Sequence, residues 1–218
     1  MARAAGRSDA ERSRVLRPAP PEQRSTRRRL KALAAAVPDG ADVVLLGDSL
    51  AAGWPAGLWR ERLPGTAVFN FGLPGERIQN TLWRLEVIAT GHLAPRWAVI
   101  LLGTNNLGDG EPPDAIAAAL AAVVDRVRQL WREPRVLLFT IPPRGPSPRF
   151  REHDRVRVNA LLKATWSSDD RIILLDADQA LGSSAIDGTA FESDRLHLSP
   201  AGYELLTLAC AQRVAGRA

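Results

Sequence analysis

Three residues of the sequence have the types that activate a hydroxyl group for attack on a carbonyl carbon. Ser49 is a weak nucleophile unless a base accepts its proton, and histidine suits this task because it titrates near neutral pH. Of the three histidines, His197 has a carboxylate, Asp194, three residues before it. In a turn that enters a helix, this spacing can bring the carboxylate to Nδ1 and leave Nε2 free to face Ser49. The pattern predicts a Ser-His-Asp triad for acyl transfer.

An acyl-transfer site also needs hydrogen-bond donors for the oxyanion that forms on the attacked carbonyl. The candidates are the backbone N–H of Ser49, the backbone N–H of Gly75, which has no Cβ to obstruct close approach, and the side-chain amide of Asn105. Each alone has an ordinary explanation as a helix cap, a turn glycine or a loop-stabilising amide. Their shared position after predicted strands is what favours a common site.

The remaining histidines have no such context. His92 lies in a helix-exit segment and His153 lies in a charged run, so we predict surface positions for both. No His/Cys cluster has the spacing of a metal site. The sequence therefore does not predict a catalytic metal.

The elements that must position these residues alternate along the chain. Short apolar runs separated by helical patterns are typical of a parallel sheet covered on both faces. The prediction is a single α/β domain, a three-layer α/β/α sandwich with five parallel strands. Strands are predicted at Asp42–Leu46, Ala67–Phe69, Ala98–Leu102, Val136–Thr140 and Ile172–Leu175. Helices are predicted at Glu22–Val37, Leu58–Leu63, Ile78–Ile88, Pro113–Trp131, Arg151–Trp166 and Pro200–Val214. In such sheets ligands bind beyond the carboxyl ends of the strands, where the candidate residues fall.

The motifs in this order resemble those of the SGNH hydrolases, also called the GDSL family. Gly47-Asp48-Ser49-Leu50 spells the family's name, and the glycine, asparagine and Asp-x-x-His of the later blocks correspond to Gly75, Asn105 and Asp194 with His197. Within the family, the chain is most similar to the catalytic α-subunits of intracellular platelet-activating factor acetylhydrolase. The similar segments are Asn70-Phe71-Gly72, Leu82-Trp83-Arg84-Leu85, Gly103-Thr104-Asn105-Asn106, Pro143-Arg144-Gly145 and Leu196-His197-Leu198.

The resemblance implies a flavodoxin-like fold, a Ser-His-Asp mechanism without a cofactor, a small acyl ester as substrate, removal of short acyl groups such as acetyl, and a homodimer. The sequence departs from those relatives at Pro74, where they have glycine, and at Glu76-Arg77, where they commonly have Asp-Thr. Because this loop differs, the resemblance does not identify the alcohol part of the substrate.

Four further residues are candidates for substrate binding. Trp54 follows the Ser49 loop, and Arg77 and Arg144 follow strands at the predicted site edge, where they would favour an anionic substrate. Asp48 precedes the serine and is interpreted mainly as a residue that fixes the loop, because Asp194 is better placed beside the histidine.

Composition sets the remaining expectations. The chain of 218 residues carries a net charge of +5, and ten Arg/Lys lie within residues 1–31. We interpret residues 1–21 as a disordered basic tail and 22–218 as one domain, with no nucleic-acid partner. No apolar run is long enough for a membrane span, the N-terminus lacks an apolar signal-peptide core, and the single cysteine excludes an internal disulfide. These features predict a cytoplasmic protein.

Three alternatives remain open. The same triad would serve an O-acyltransferase that passes the acyl group to a sugar hydroxyl. A ligand-binding module without turnover would account for the changed Glu76-Arg77 loop and the basic tail, although it would not need every catalytic position. A nucleotide-binding flavodoxin-like protein would need a glycine-rich phosphate loop, and neither of the common phosphate-loop motifs is present.

Overall fold

The computed structural model describes residues 14–166 and 169–215. Its centre is, as predicted, a single sheet of five parallel strands. The strands are β1 (Val43–Gly47), β2 (Val68–Gly72), β3 (Trp97–Leu101), β4 (Arg135–Phe139) and β5 (Ile172–Leu175). Their order in the sheet is β2-β1-β3-β4-β5.

Helices cover both faces of the sheet. They are α1 (Arg24–Ala35), α2 (Ser49–Ala52), α3 (Ala56–Arg62), α4 (Ile78–Val87), α5 (Thr104–Gly108), α6 (Pro113–Leu130), α7 (Glu152–Thr165), α8 (Ala177–Leu181), α9 (Ser183–Asp187) and α10 (Pro200–Ala215). A single turn of 3₁₀ helix spans Gly91–Leu93.

Two apolar cores lie on the two faces because successive strand residues point to opposite sides. Val44 and Leu46 of β1 face a core shared with α4, α6 and α7. Val43 and Leu45 face a second core shared with α3, α8 and α10. All four are at most 1% exposed, which explains the continuous apolar runs of the sequence. The three-layer α/β/α architecture is confirmed.

The six long helices match the predicted segments to within a few residues, but the short helices α2, α5, α8 and α9 were not predicted. Each is four or five residues long, so none contains enough turns to show an apolar period. Asp48 caps α2 and Asp176 caps α8 through backbone N–H groups. None of the helices in the described ranges is long and apolar enough to cross a membrane.

The segment 14–21 packs against the domain, in contrast to the disordered tail expected for residues 1–21. Val15 is fully buried in the core beside α4 and α6. Ala19 exchanges hydrogen bonds with α4, since its N–H donates to the carbonyl of Gln79 and its carbonyl accepts from Asn80. The apolar side chain and these paired backbone groups order the segment despite its charge. The rest of the expected tail, residues 1–13, lies outside the described residues.

Candidate active site

The site forms where the strand order reverses. β2 and β3 lie on opposite sides of β1, so the connections after β1 and β3 leave toward different faces and open a crevice at the carboxyl edge. Ser49 is the first residue of α2, directly after β1, and Asn105 lies in α5, directly after β3. At Gly47, a Cβ would come within 1.9 Å of the Leu101 carbonyl oxygen, so only glycine fits where these two strands end.

Ser49, His197 and Asp194 form a continuous chain of hydrogen bonds. The distance between His197 Nε2 and Ser49 Oγ is 3.0 Å, and the distance between His197 Nδ1 and Asp194 Oδ2 is 2.6 Å. Both lie within the range expected for a nucleophile, its base and the group that orients the base. The structure brings together the three residues that the sequence placed in a triad.

The turn 194–197 holds Asp194 in place. Its Oδ1 accepts hydrogen bonds from the backbone N–H groups of Leu196 and His197, each at 2.9 Å. The hydrogen bond with the His197 side chain and these backbone bonds lower the pKa of Asp194 to about 2. The side chains of His197 and Asp194 are about half exposed, at 43% and 50%, so the site opens directly to solvent.

The predicted oxyanion donors lie at the same edge, Ser49 and Asn105 in the short helices α2 and α5 and Gly75 in the loop after β2. Gly75 has a φ of +78°, a left-handed conformation that favours glycine. Asn105 donates one N–H of its amide to the carbonyl of Glu76 at 2.8 Å. An amide nitrogen carries two N–H groups, so the second is available to a ligand, and the bond to Glu76 ties Asn105 to the Gly75 loop.

A buried ion pair anchors the same loop, and sequence reasoning did not identify it. Arg84 donates to both carboxylate oxygens of Glu76 at 2.5 and 2.8 Å, and both side chains are fully buried. The guanidinium also lies 4.1 Å above the ring of Phe71. Burial raises the pKa of Glu76, and the charge of Arg84 opposes that rise. Glu76, which the sequence analysis noted only as a departure from relatives, is therefore a structural residue. The arginine eight residues later, at the predicted helix Ile78–Ile88, could have indicated an ion pair.

A second buried polar residue beside the site is Asn106. Its Oδ1 accepts from the N–H of Ile78 and its Nδ2 donates to Gln79. These contacts join α5 to the start of α4. The adjacent Asn105 is thereby positioned from both sides.

Two predicted substrate-binding residues lie elsewhere. Trp54 is only 3% exposed and packs in the core against Trp59, Phe139 and Tyr203, with its Nε1 bonded to Thr207. Its assignment to the substrate pocket was wrong, because the segment after α2 turns into the core.

Asp48 is also not a substrate-binding residue. It is fully buried, and its Oδ1 accepts from the N–H of Leu50, which caps α2. This agrees with its interpretation as a loop-fixing residue. Burial raises the pKa of Asp48 to about 7.

Arg77 and Arg144 lie on one cleft beside Asn105, as predicted. Arg77 forms an ion pair with Asp109, whereas Arg144 donates to the carbonyl of Thr104 at 2.9 Å. His92 and His153 lie away from the site, near Pro38 and Asp154. Within the described ranges, no group of three or more potential metal ligands occurs.

Comparisons with known proteins identify a matching family. Residues 45–205 match the family model described as GDSL-like lipase/acylhydrolase. The platelet-activating factor acetylhydrolase IB subunit alpha1 of Bos taurus is 36% identical over 167 residues, which cover 74% of this chain and 70% of the relative. The human alpha2 subunit is 28% identical over 166 residues, covering 74% and 71%.

Solved structures share the fold. A GDSL-like lipase from Bacteroides thetaiotaomicron has a TM-score of 0.70 at 19% identity, covering 88% of this chain and 98% of that one. Axe2, an acetylxylan esterase from Geobacillus stearothermophilus, has a TM-score of 0.63 at 18% identity, covering 82% and 95%. The chain belongs to the GDSL-like lipase/acylhydrolase family and is a carboxylic ester hydrolase.

Proposed function

We propose that the protein is a serine esterase that removes short, acetyl-type acyl groups from oxygen. The observation that carries the proposal is the hydrogen-bonded chain from Ser49 through His197 to Asp194. The acyl length is supported by two relatives, whose names describe an acetylhydrolase and an acetylxylan esterase.

The mechanism is a two-step acyl transfer. Ser49 Oγ attacks the ester carbonyl carbon while His197 Nε2 takes the hydroxyl proton, and Asp194 stabilises the resulting imidazolium through Nδ1–H. The C–O bond to the alcohol then breaks, and the alcohol leaves with the proton from Nε2. Water, deprotonated by the same nitrogen, attacks the acyl-serine and releases the carboxylic acid.

The developing oxyanion would be held by the backbone N–H groups of Ser49 and Gly75 and by the free N–H of Asn105. These donors belong to fixed backbone or to a side chain already held by Glu76. Little reorganisation is therefore needed as the negative charge forms, and one such donor typically contributes about 3 kcal/mol to the barrier reduction.

The experiment is hydrolysis of p-nitrophenyl acetate, butyrate and octanoate by the wild type, Ser49→Ala and Ser183→Ala. Ser183 is an exposed serine in α9 and serves as the matched control. We expect rates that fall with chain length, a loss in kcat of at least about 10³-fold for Ser49→Ala, and no change for the control.

Mass spectrometry of rapidly quenched wild type should show one added acetyl group, absent from Ser49→Ala. Turnover that survives Ser49→Ala would contradict the proposal. Preferential transfer of the acetyl group to an added polyol would instead identify an O-acyltransferase that uses the same triad.

A further inference from the structure

The loop between β4 and α7, residues 140–151, touches both halves of the site. The N–H of Gly145 donates to the carbonyl of Arg195 at 2.6 Å, within the turn that carries Asp194 and His197. The neighbouring Arg144 donates to the carbonyl of Thr104 at 2.9 Å, at the start of the helix that carries Asn105. Residues 144 and 145 therefore connect the turn that carries the proposed base to the helix that carries the proposed oxyanion donor, and the hydrogen bond to Thr104 fixes the Arg144 guanidinium beside that helix.

Neighbouring residues leave space for the Arg144 guanidinium and pack against it. A Cβ at residue 108 would lie 2.8 Å from Arg144 Nη1, so the absence of a side chain at Gly108 makes room for the guanidinium. The ring of Phe150 lies 5.2 Å from its Cζ, within cation–π range. Burial lowers the pKa of Arg144, which is the direction expected for a cation that has lost part of its hydration.

No carboxylate lies within ion-pair distance of Arg144 anywhere in residues 14–166 and 169–215, and the charges of Asp48, Asp109 and Asp194 act on it only from farther away. Its Nε is buried and has no hydrogen-bond partner among those residues. Arg77, in contrast, already pairs with Asp109. A partly desolvated guanidinium that lines a cleft and has no carboxylate within ion-pair distance is suited to recognition of a carboxylate or phosphate supplied by a ligand.

The cleft that Arg144 lines also contains other side chains with hydrogen-bond donors. It has a volume of about 390 Å³ and extends from Asn105 to Ser147 and Arg149. The hydroxyl of Ser147 is buried and also lacks a partner in the described part of the chain. Arg149 is exposed and forms no ion pair there. The one carboxylate on the wall, Asp109, is neutralised by Arg77.

We propose that this cleft binds an anionic group, a carboxylate or a phosphate, carried by the ester itself. Arg144 is the central ligand, with Ser147 and Arg149 beside it, and the enzyme prefers acyl esters whose alcohol part bears a negative charge near the scissile bond. This inference rests on the proposed esterase function, because the cleft begins at the oxyanion donor Asn105.

Binding to the Ser49→Ala variant tests the subsite without turnover. The probes are 4-acetoxybenzoate and 4-acetoxyphenyl phosphate, compared by calorimetry with the neutral 4-acetoxybenzamide of similar shape. We expect at least one anion to bind about tenfold or more tightly than the amide, as a charge-assisted hydrogen bond allows. Which of the two anionic probes binds more tightly shows whether the cleft prefers a carboxylate or a phosphate.

Adding Arg144→Gln should reduce the preference to within about twofold, and Arg144→Lys, which keeps a point charge without the fork, should leave an intermediate value. Arg96→Gln is the matched control, because Arg96 is exposed and precedes β3 at the opposite edge of the sheet. That variant should keep the full preference. Thermal unfolding of each variant separates loss of the anion contact from loss of the fold.

Equal affinity for the anions and the amide would overturn the proposal, as would a preference that survives in folded Arg144→Gln. The esterase proposal fails separately. It depends on Ser49-dependent turnover of uncharged p-nitrophenyl acetate, which needs no anion contact.

Discussion

The carboxyl group of Asp194 stays ionised over any pH at which the enzyme works, because its hydrogen bonds lower its pKa to about 2. Lowering the pH from 8 to 5 therefore leaves Asp194 charged, and protonation of this carboxylate should contribute nothing to a change in activity over that range.

Asp194→Asn should lower kcat by about 10³- to 10⁴-fold. An amide in this position presents N–H to Nδ1 and favours the wrong tautomer of His197, as in other triads. The measurement is kcat for p-nitrophenyl acetate. Asp154→Asn is the control, because Asp154 also lies beside a histidine, His153, but on the surface; an equal loss in both variants would contradict the assignment.

Asp48 should make the protein less stable as pH rises from about 4 to about 7. Burial raises its pKa from 3.8 to about 7, so the folded state keeps a proton that the unfolded chain has already lost, and ionising the folded state costs stability. The whole interval corresponds to on the order of 4 kcal/mol.

The test is the free energy of unfolding of wild type and Asp48→Asn at several pH values. The variant should gain stability relative to wild type as pH rises through this interval. Asp39→Asn, at an exposed aspartate, is the control. A constant difference between wild type and Asp48→Asn would show that the buried carboxyl does not titrate there.

At the scale of residues, the sequence predicted contacts between side chains that lie close together along the chain. Asp194 and His197 are three residues apart, so their contact is a property of one turn, and chemistry alone suggested Ser49 as their partner. The burial of Trp54 could not be inferred, because it depends on α10 and on Thr207, 153 residues away.

At the scale of elements, the loop after β2 depends on α4. The Glu76–Arg84 pair fixes the loop to that helix, and the carbonyl of Glu76 holds Asn105. Glu76 thus connects the ion pair to Asn105, the proposed oxyanion donor, and disturbing the pair should affect stability and catalysis together.

Arg84→Met should destabilise the fold by about 3–5 kcal/mol, because it leaves the Glu76 carboxylate buried without a counter-charge. Chemical denaturation measures the loss. The double variant Glu76→Gln/Arg84→Met removes the unpaired charge and should recover part of it, while the backbone acceptor for Asn105 remains. Equal stability of single and double variants would contradict this explanation.

Elements were predictable in proportion to their length and amphipathic pattern. The 18-residue helix α6 was located within one residue, because its buried face repeats over several turns. The short helices α2 and α5, which carry Ser49 and Asn105, were predicted only as loops. They are held by contacts with the sheet and with α4, which a local pattern does not contain.

At the scale of the whole molecule, residues 14–21 complete the fold from outside the family-matching region 45–205. Val15 fills a core position, and Arg14 pairs with Glu111, whose carboxylate is nearly buried. The same segment forms one wall of a cleft of about 360 Å³ that reaches Gly75.

A chain beginning at Glu22 should be less stable than one beginning at Arg14, which keeps all the described contacts. Loss of Val15 alone removes about 1.5–3 kcal/mol of burial, and Glu111 loses its counter-charge. Denaturant unfolding of the two chains measures the difference. Equal midpoints would mean that the segment contributes nothing, as expected of a disordered tail.

The docking of this segment was not predictable because its charge and prolines resemble those of a tail. Its partners are α4, more than 60 residues away, and Glu111, 97 residues away. A single apolar residue, Val15, gives no periodic signal.

These separations also set an order of assembly during synthesis. The segment is synthesised before the rest of the described chain, yet it cannot form its contacts until synthesis has passed α4 and Glu111. Closing so long a loop costs only slightly more entropy than closing a shorter one. The delay therefore comes from the time needed to synthesise the partner residues and not from the free energy of loop closure. The wall of the cleft that residues 14–21 form is therefore added only after the loop that carries Gly75 has been synthesised.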